Sequence, residues 1–520
     1  MVHVARCVNT LWSQLHVCSS LLVVCSSLYH SMGSSVKLFR KPPRRTDGSS
    51  KRVEERLIFL FKRCSDLKRL QMVHAQVVKF GLHQDVFVAS KLILFCVDAA
   101  SSVVTSPTMD YALSVFNQMD NPDGFIWNTM IRGFGRTKNP IEAIVLYQRM
   151  QKSSDSAVTL QDNFTFSFLL KICGQLALLE LGEQVHSTCV KHGLDAHAFV
   201  RNTLVHMYAM CKCITSAQKA FSEMVQPDLI TWNAIIDGCL HCDMPEDALI
   251  FFQRMQKMGI MPDEITLVVI LSACAKMGAL GYGRLVHSYA VLGGYGELVS
   301  IRNSLVDMYA KCGQINDARQ IFDQMLEKNE ISWNAMIQGL AIHGHAREAL
   351  RVFSEMESLG KVPPNSVTFL SVLCACSHAG LVDEAKKHFN GMVMRYGISP
   401  GAKHYGSMID LLGRAGFVDE AYAFIQRIPG EYRNAIMWRT LLGACRVHGK
   451  VELAEHVRRH LLHLEPDHSG DYVLLSNMYA TKNRWKDVVM VRQHMRDRGV
   501  QKPEPGNSLI DLGPILGCCM

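Results

Sequence analysis

Apolar residues recur along most of the chain at i, i+3 and i+4 spacing, in segments of about 12 residues divided by short polar turns, as paired amphipathic helices require. The stretch Leu229 to Asp263, LITWNAIIDGCLHCDMPEDALIFFQRMQKMGIMPD, shows the pattern: two short helices and a turn. Its opening, Trp232-Asn233-Ala234-Ile235-Ile236, returns as Trp333-Asn334-Ala335-Met336-Ile337, 101 residues on. Met207-Tyr208-Ala209 and His186 return at the same offset as Met308-Tyr309-Ala310 and His287. The period divides into parts of 35, 35 and 31 residues. Gly, Asn or Pro marks the turns, as in Lys311-Cys312-Gly313 and Met261-Pro262-Asp263. Small residues at fixed positions (Ala310, Ala318, Ala349) allow close helix approach. No strand-like alternation is sustained, so the spacing predicts an all-α fold, an α-solenoid of helix-turn-helix repeats.

The period places eleven units over residues 54–434. A degraded unit at 54–85 matches later ones through Cys64 and His74, as Cys173 and His186 or Cys274 and His287 stand in 163–197 and 264–298. A short-type unit at 86–123 carries an insertion around Ser101–Pro107, and a standard unit at 124–162 carries one around Ser153–Leu160. Both fall at turns, where a solenoid tolerates extra length. The order then settles into long 163–197, short 198–228, standard 229–263, long 264–298, short 299–329 and standard 330–365. A long-type unit at 366–401 and a divergent short-type unit at 402–434 follow.

Composition narrows the class. A chain of 520 residues exceeds a single globular core, which agrees with a solenoid. Eighteen cysteines would suggest disulfides in a small secreted chain; here Cys173, Cys274 and Cys376 share one repeat position and suit apolar packing in a reducing compartment. The net charge of +8 leans towards a polyanionic partner. No run of about 20 apolar residues occurs, so no membrane span is expected. Residues 1–46 lack Asp and Glu but carry Arg6, Lys37, Arg40, Lys41, Arg44 and Arg45 among many serines, and 1–53 reads as an organellar transit peptide and leader. A secretory signal built on Leu21–Cys25 is the competing reading; that stretch begins late and is flanked by serines. The arginines favour mitochondrion, with chloroplast the alternative.

Units of 31 to 36 residues bearing WNAMI (333–337), FLSVLCAC (369–376), HSY (287–289) and NSLVDMYAKCG (303–313) resemble the plant pentatricopeptide repeat family, in its PLS subfamily, over residues 54–502. Tetratricopeptide repeats have similar length but lack the mixed cycle and the MYAKCG feature. The resemblance implies a right-handed superhelical α-solenoid. Residues 435–468 and 469–502 resemble the two E motifs of editing-type members. Lys502 to Ile510, KPEPGNSLI, resembles the start of the next family segment, usually EPGCSWIE; Asn507 and Leu509 replace its Cys and Trp, so 503–520 reads as a truncated extension.

The resemblance further implies binding of single-stranded RNA, one base per repeat, read by the fifth and last residues of a unit. Those pairs are Ser90/Asp123 for G; Asn128/Asp162, Asn202/Asp228 and Asn233/Asp263 for U; and Asn303/Asn329 and Asn334/Asn365 for a pyrimidine. An amide offers a pyrimidine edge both donor and acceptor, and a carboxylate, acceptor only, can orient that amide or hold a water. The long-type units offer Ser167/His197, Val268/Leu298 and Leu370/Gly401, poor readers treated as spacers, and Gly406/Asn434 is uninformative. With the N-terminus towards the RNA 5′ end, the implied target is 5′-G-U-x-U-U-x-Y-Y-x-x, with a cytidine to be edited a few nucleotides downstream. A single Asn near a helix start reads as a cap; recurrence at matched positions favours base readout. The second residues Phe87, Phe125, Phe199, Ile230 and Ile331 suit either stacking on base faces or helix-interface packing.

A nucleobase deaminase needs H-x-E and C-x-x-C to hold zinc and its general acid/base. His463-Leu464-Glu465 spells the first with no C-x-x-C after it, and Cys239-Leu240-His241-Cys242 spells the second upstream, inside a repeat, where packing is the expected role. Trp127, Trp232, Trp333 and Trp438 read as core residues. No catalysis, cofactor or metal is expected. The implied role is site recognition for organellar C-to-U editing, with a DYW-type deaminase protein and multiple-organellar-editing-factor proteins recruited in trans. The alternatives are an RNA stability, splicing or translation factor, a peptide-binding scaffold, and an enzyme in its own right.

Overall fold

The computed structural model describes residues 60, 64, 66–100, 107–152 and 161–501. The leader at 1–53, the tail at 503–520, residues 101–106 of the first insertion and 153–160 of the second lie outside them. Among the described residues there are 25 helices and no strand. They fall into two compact bodies, 1–162 and 163–520.

In the first body, unit first helices begin at Val86 and Gly124. In the second they begin at Asn163, Ala198, Leu229, Glu264, Val299, Glu330, Ser366, Ala402, Ala435 and Ser469, so helix register follows the phase of the sequence period. In the second body each is joined by a tight turn to a second helix, as Leu229–His241 is to Pro245–Lys257. Of the unit at 54–85, the second helix Leu67–Lys79 is described.

First and second helices differ because their neighbours differ. Leu229–His241 packs between Ala198–Met210 and Glu264–Met277 as well as against its own second helix. Trp232, Ile235, Ile236 and Cys239 are all fully buried, which is why this helix reads as an almost continuous apolar run. Pro245–Lys257 has one covered face: Ala248, Phe252 and Met255 are buried at helical spacing. Pro245 fits the first turn, Glu246 and Asp247 sit at its positive end, and Arg254 and Lys257 at its negative end.

The recurrent tryptophans join units. Phe221, from the second helix of one unit, meets Trp232 of the next edge to face at 4.7 Å between centroids; Phe322 and Trp333 repeat this at 5.1 Å one period later. In the first body Phe116 and Trp127 do so at 4.7 Å. Truncating a buried aromatic of this kind to Ala costs about 3–5 kcal/mol. Glycine sets the closest approach between first helices: a Cβ on Gly238 would lie 2.5 Å from Ala209 Cβ, and one on Gly339 would lie 2.7 Å from Ala310 Cβ.

The turns carry the period too, with one difference. Gly278, Gly313 and Gly344 hold positive φ of 66°, 81° and 76°. One period earlier Ala177, Lys212 and Asp243 occupy the same bends at 52°, 59° and 63°, a region that costs an L side chain energy.

Candidate nucleic-acid interface

The fifth residue of a unit lies in the second turn of its first helix; the last residue is the N-cap of the next unit's first helix. Asp228 accepts from Thr231 N–H, Asp263 from Thr266 N–H, Asn329 from Ser332 N–H and Asn365 from Thr368 N–H. In the first body Asp123 accepts from Ile126 N–H. The capping role thus belongs to the last residues, and the fifth-position asparagines cap nothing.

The asparagines reach across to those caps. Nδ2 donates to the cap oxygen from Asn202 to Asp228 at 3.2 Å, Asn233 to Asp263 at 3.0 Å, Asn303 to Asn329 at 3.2 Å and Asn334 to Asn365 at 3.3 Å. Within the first body Asn128 donates to Asp162 at 2.9 Å. Ser90 differs: its hydroxyl donates to the Phe87 carbonyl at 2.7 Å. Even so, Ser90, Asp123, Phe87, Lys91 and Phe125 line one open cleft of about 700 Å³.

A third side chain, missed in the sequence, completes each asparagine pair of the second body. The third residue of the following unit places a hydroxyl against the amide oxygen: Thr231 on Asn202 at 2.5 Å, Thr266 on Asn233, Ser332 on Asn303 and Thr368 on Asn334, each at 2.6 Å. The same oxygens lie 2.7, 2.8, 3.0 and 3.1 Å from the cap Oδ1, so one hydroxyl proton serves two acceptors. All four are fully buried. The amide then keeps one N–H and one lone pair for a base edge.

Burial raises the Asp228 and Asp263 carboxyls, but the donors outweigh it and hold both below the ordinary carboxylate range. Chief among those donors are the Thr231 and Thr266 hydroxyls and N–H groups and the Asn202 and Asn233 amides. Both caps are therefore ionised, acceptor-only groups at neutral pH.

Beside these pairs stand exposed apolar side chains. Phe87 and Phe125 in the first body, and Phe199, Ile230 and Ile331 in the second, are 49–64% exposed. Phe164, Ile265, Val367 and Ile436, at the same position of other units, are exposed too and were legible from the period alone. Phe164 and Phe199 lie 5.8 Å apart between centroids. In 299–329 the position holds Ser300, bonded to Glu264. The long-type fifth residues form no such polar pair: Ser167 donates to the Asn163 carbonyl at 2.7 Å, and Val268 and Leu370 are apolar.

The arrangement changes at 435–468. Here the fifth residue is Arg439, and Asp471, only 6% exposed, stands at the third position of the next unit. Arg439 Nε donates to Asp471 Oδ1 at 3.0 Å and Nη2 to Glu465 Oε2 at 2.7 Å, while His468 Nδ1 lies 3.1 Å from Asp471 Oδ1. An ion-pair cluster fills the place of amide, cap and hydroxyl, and it also occupies Glu465 of the H-x-E spelling. Of the C-x-x-C spelling, Cys239 is fully buried, with burial pushing its thiol up to about 12, and Cys242 Sγ donates to the Ala209 carbonyl at 3.4 Å. Among the described residues no group of three His, Cys, Asp or Glu could hold a metal ion, and no helix is long and apolar enough to cross a membrane.

A family model described as "PPR repeat" matches residues 125–154, 300–330, 367–396 and 403–431, and one described as "PPR repeat family" matches 227–276 and 328–378. A model described as "E motif" matches 448–511. A pentatricopeptide repeat-containing protein of Arabidopsis thaliana is 42% identical over 451 residues, covering 86% of this chain and 74% of that protein. The chain belongs to the pentatricopeptide repeat family. A member from the same plant, named chloroplastic, is 39% identical over 459 residues, 88% of this chain and 74% of its own length. Another, named chloroplastic/mitochondrial, is 36% identical over 504 residues, 94% of this chain and 76% of its own. The crystal structure of the maize pentatricopeptide repeat protein PPR10 shares the fold, with a TM-score of 0.56 at 17% identity over 85% of this chain and 69% of that one. PPR10 is also known in complex with an 18-nt psaJ RNA element. With its PLS-type repeats and its E motif, this pentatricopeptide repeat protein is an E-class member.

Proposed function

We propose that this protein binds single-stranded organellar RNA in a sequence-specific way and acts as a site-recognition factor for C-to-U editing. The observation that carries the reading is the recurrent amide-to-cap pair, Asn233 on Asp263 and its counterparts, beside an exposed apolar side chain such as Ile230. One unit then offers a face for stacking and a fixed polar edge for pairing, which is what reading unpaired bases needs. Family membership supports RNA as the ligand, as in PPR10. The expected target is 5′-G-U-x-U-U-x-Y-Y-x-x.

The two E motifs, over 435–502, recruit the deaminase in trans. The match to an E motif supports this, as does Arg439, whose pairing with Asp471 leaves that unit no amide to present. The solenoid supplies sequence choice and local concentration; a DYW-type deaminase protein, with multiple-organellar-editing-factor proteins, supplies the zinc chemistry. The names of the relatives support an organelle as the place of action, and the arginines of residues 1–46, a stretch without Asp or Glu, favour mitochondrion.

Sequencing organellar transcripts from a line lacking the protein tests the reading. Loss of C-to-U conversion at one or a few sites preceded by the pattern is the expected result. Intact editing with an altered transcript level would replace the editing role with one in RNA stability. Deamination by the purified protein alone would overturn recruitment in trans.

A further inference from the structure

The readers of the proposed code stand two to a unit, yet each asparagine pair of the second body holds a third partner. We infer that the third residue of the following unit is a specificity-determining positioning residue: its buried hydroxyl fixes the amide that reads the base. The inference rests on the base-readout reading above.

Geometry is the first support. Thr266 Oγ1 lies 2.6 Å from Asn233 Oδ1 and is fully buried, so it touches no RNA itself. It acts through the amide. The cap Asp263 draws one Nδ2 hydrogen at 3.0 Å, and the hydroxyl proton is shared between Asn233 Oδ1 and Asp263 Oδ1. Held at both ends, the amide cannot turn about its last torsion, and its remaining N–H and lone pair keep fixed directions. A donor and an acceptor presented in fixed order is what separates one pyrimidine edge from another. Without the hydroxyl, Oδ1 loses its donor and the amide is free to reorient towards solvent or base.

The sequence supplies the second support. Asn128, Asn202, Asn233, Asn303 and Asn334 are followed, at the third position of the next unit, by Thr165, Thr231, Thr266, Ser332 and Thr368. The fifth residues that are not asparagine, Ser90, Ser167, Val268, Leu370 and Gly406, are followed there by Ile126, Val200, Ile301, His404 and Met437. A hydroxyl stands at this place wherever there is an amide to hold, and nowhere else. At Arg439 the place is taken by Asp471, again the partner that the fifth side chain requires.

The test is a binding series with the full chain and synthetic RNAs of the pattern 5′-G-U-x-U-U-x-Y-Y-x-x, varying only the fifth nucleotide, which faces the unit 229–263. Thr266→Val removes the hydroxyl and keeps the shape; Thr266→Ser keeps the hydroxyl. Preference for U over the other bases at that nucleotide should fall about five- to tenfold in Thr266→Val, the factor one net hydrogen bond carries. It should persist in Thr266→Ser. Preference at the fourth nucleotide, which Asn202 reads with Thr231 behind it, should not move in either variant. Thr266 also helps cap its own helix, and loss of the cap alone would weaken binding of all four bases equally. A uniform weakening, or an unchanged preference in Thr266→Val, overturns the inference. If the wild-type protein shows no preference at the fifth nucleotide, the readout reading itself fails instead.

Discussion

Asn233 Nδ2 donates to Asp263 Oδ1 at 3.0 Å, and that same oxygen caps the following helix by accepting from Thr266 N–H at 2.9 Å. Capping and proposed base readout therefore converge on one atom. Asp263→Ala should remove both, costing about 1 kcal/mol of stability as a lost cap and abolishing selectivity at the matching nucleotide. Asp263→Asn should keep the cap, as Asn329 and Asn365 do, and relax the preference from U to either pyrimidine. Thermal unfolding and single-base binding series measure the two effects separately. Equal selectivity in Asp263→Ala and wild type would reduce Asp263 to a cap.

Ala177 holds φ of 52° where Gly278, one period later, holds 66°. Ala177→Gly should relieve that bend. An L residue in this region costs roughly 1–2 kcal/mol, offset by the extra freedom glycine gives the unfolded chain, so a gain of about 0.5–1 kcal/mol is expected. A lowered melting temperature would contradict it.

Close approach makes the opposite prediction at Gly339. Its Cβ would sit 2.7 Å from Ala310 Cβ, so Gly339→Ala should separate the two first helices and cost about 1–3 kcal/mol. Adding Ala310→Gly should recover most of the loss. Failure of that second change to help would mean the strain lies elsewhere.

Stability should also depend on pH through the His–Tyr pairs. His186 Nδ1 lies 2.9 Å from the Tyr208 hydroxyl, and His287 Nδ1 lies 3.0 Å from that of Tyr309. Burial depresses both imidazoles below their ordinary 6.5; Arg201 and Arg302 add to it, while Asp195 and Glu223 at the first and Asp317 at the second oppose it. The unfolded chain therefore takes up protons first. The stabilisation is present above the unfolded value, 6.5, and is lost as pH falls from there through the depressed folded values. The melting temperature should drop between about pH 7 and pH 5, and less so in a His186→Gln, His287→Gln double variant. An equal drop in that variant would assign the effect to other groups.

What the sequence makes legible, and what it does not, follows from the range of the interactions. Helix starts such as Leu229 and Val299 are readable because each first helix is apolar on several sides and repeats on a fixed period. Trp232 and Trp333 are readable as core for the same reason. The Asn–Asp pairs are named only through the family resemblance; their hydrogen bonds span 30 residues in Asn233–Asp263, beyond any local pattern. Thr266 escapes because a Thr three residues after an Asp already has an ordinary explanation, the capping box that it also forms. Ser90 shows the remaining gap: it shares a cleft with Asp123, but its hydroxyl is satisfied locally by Phe87.

The N-cap geometry has a consequence for recombining such arrays. Because Asp263 and Thr266 belong structurally to the first helix of the next unit, Glu264–Met277, the portable cassette does not run from Leu229 to Asp263. It runs from Trp232 to Thr266, shifted by three residues from the repeat's sequence borders. A graft cut at the sequence borders leaves its amide facing whatever residue the host supplies at the next third position; one cut after Thr266 carries its own lock.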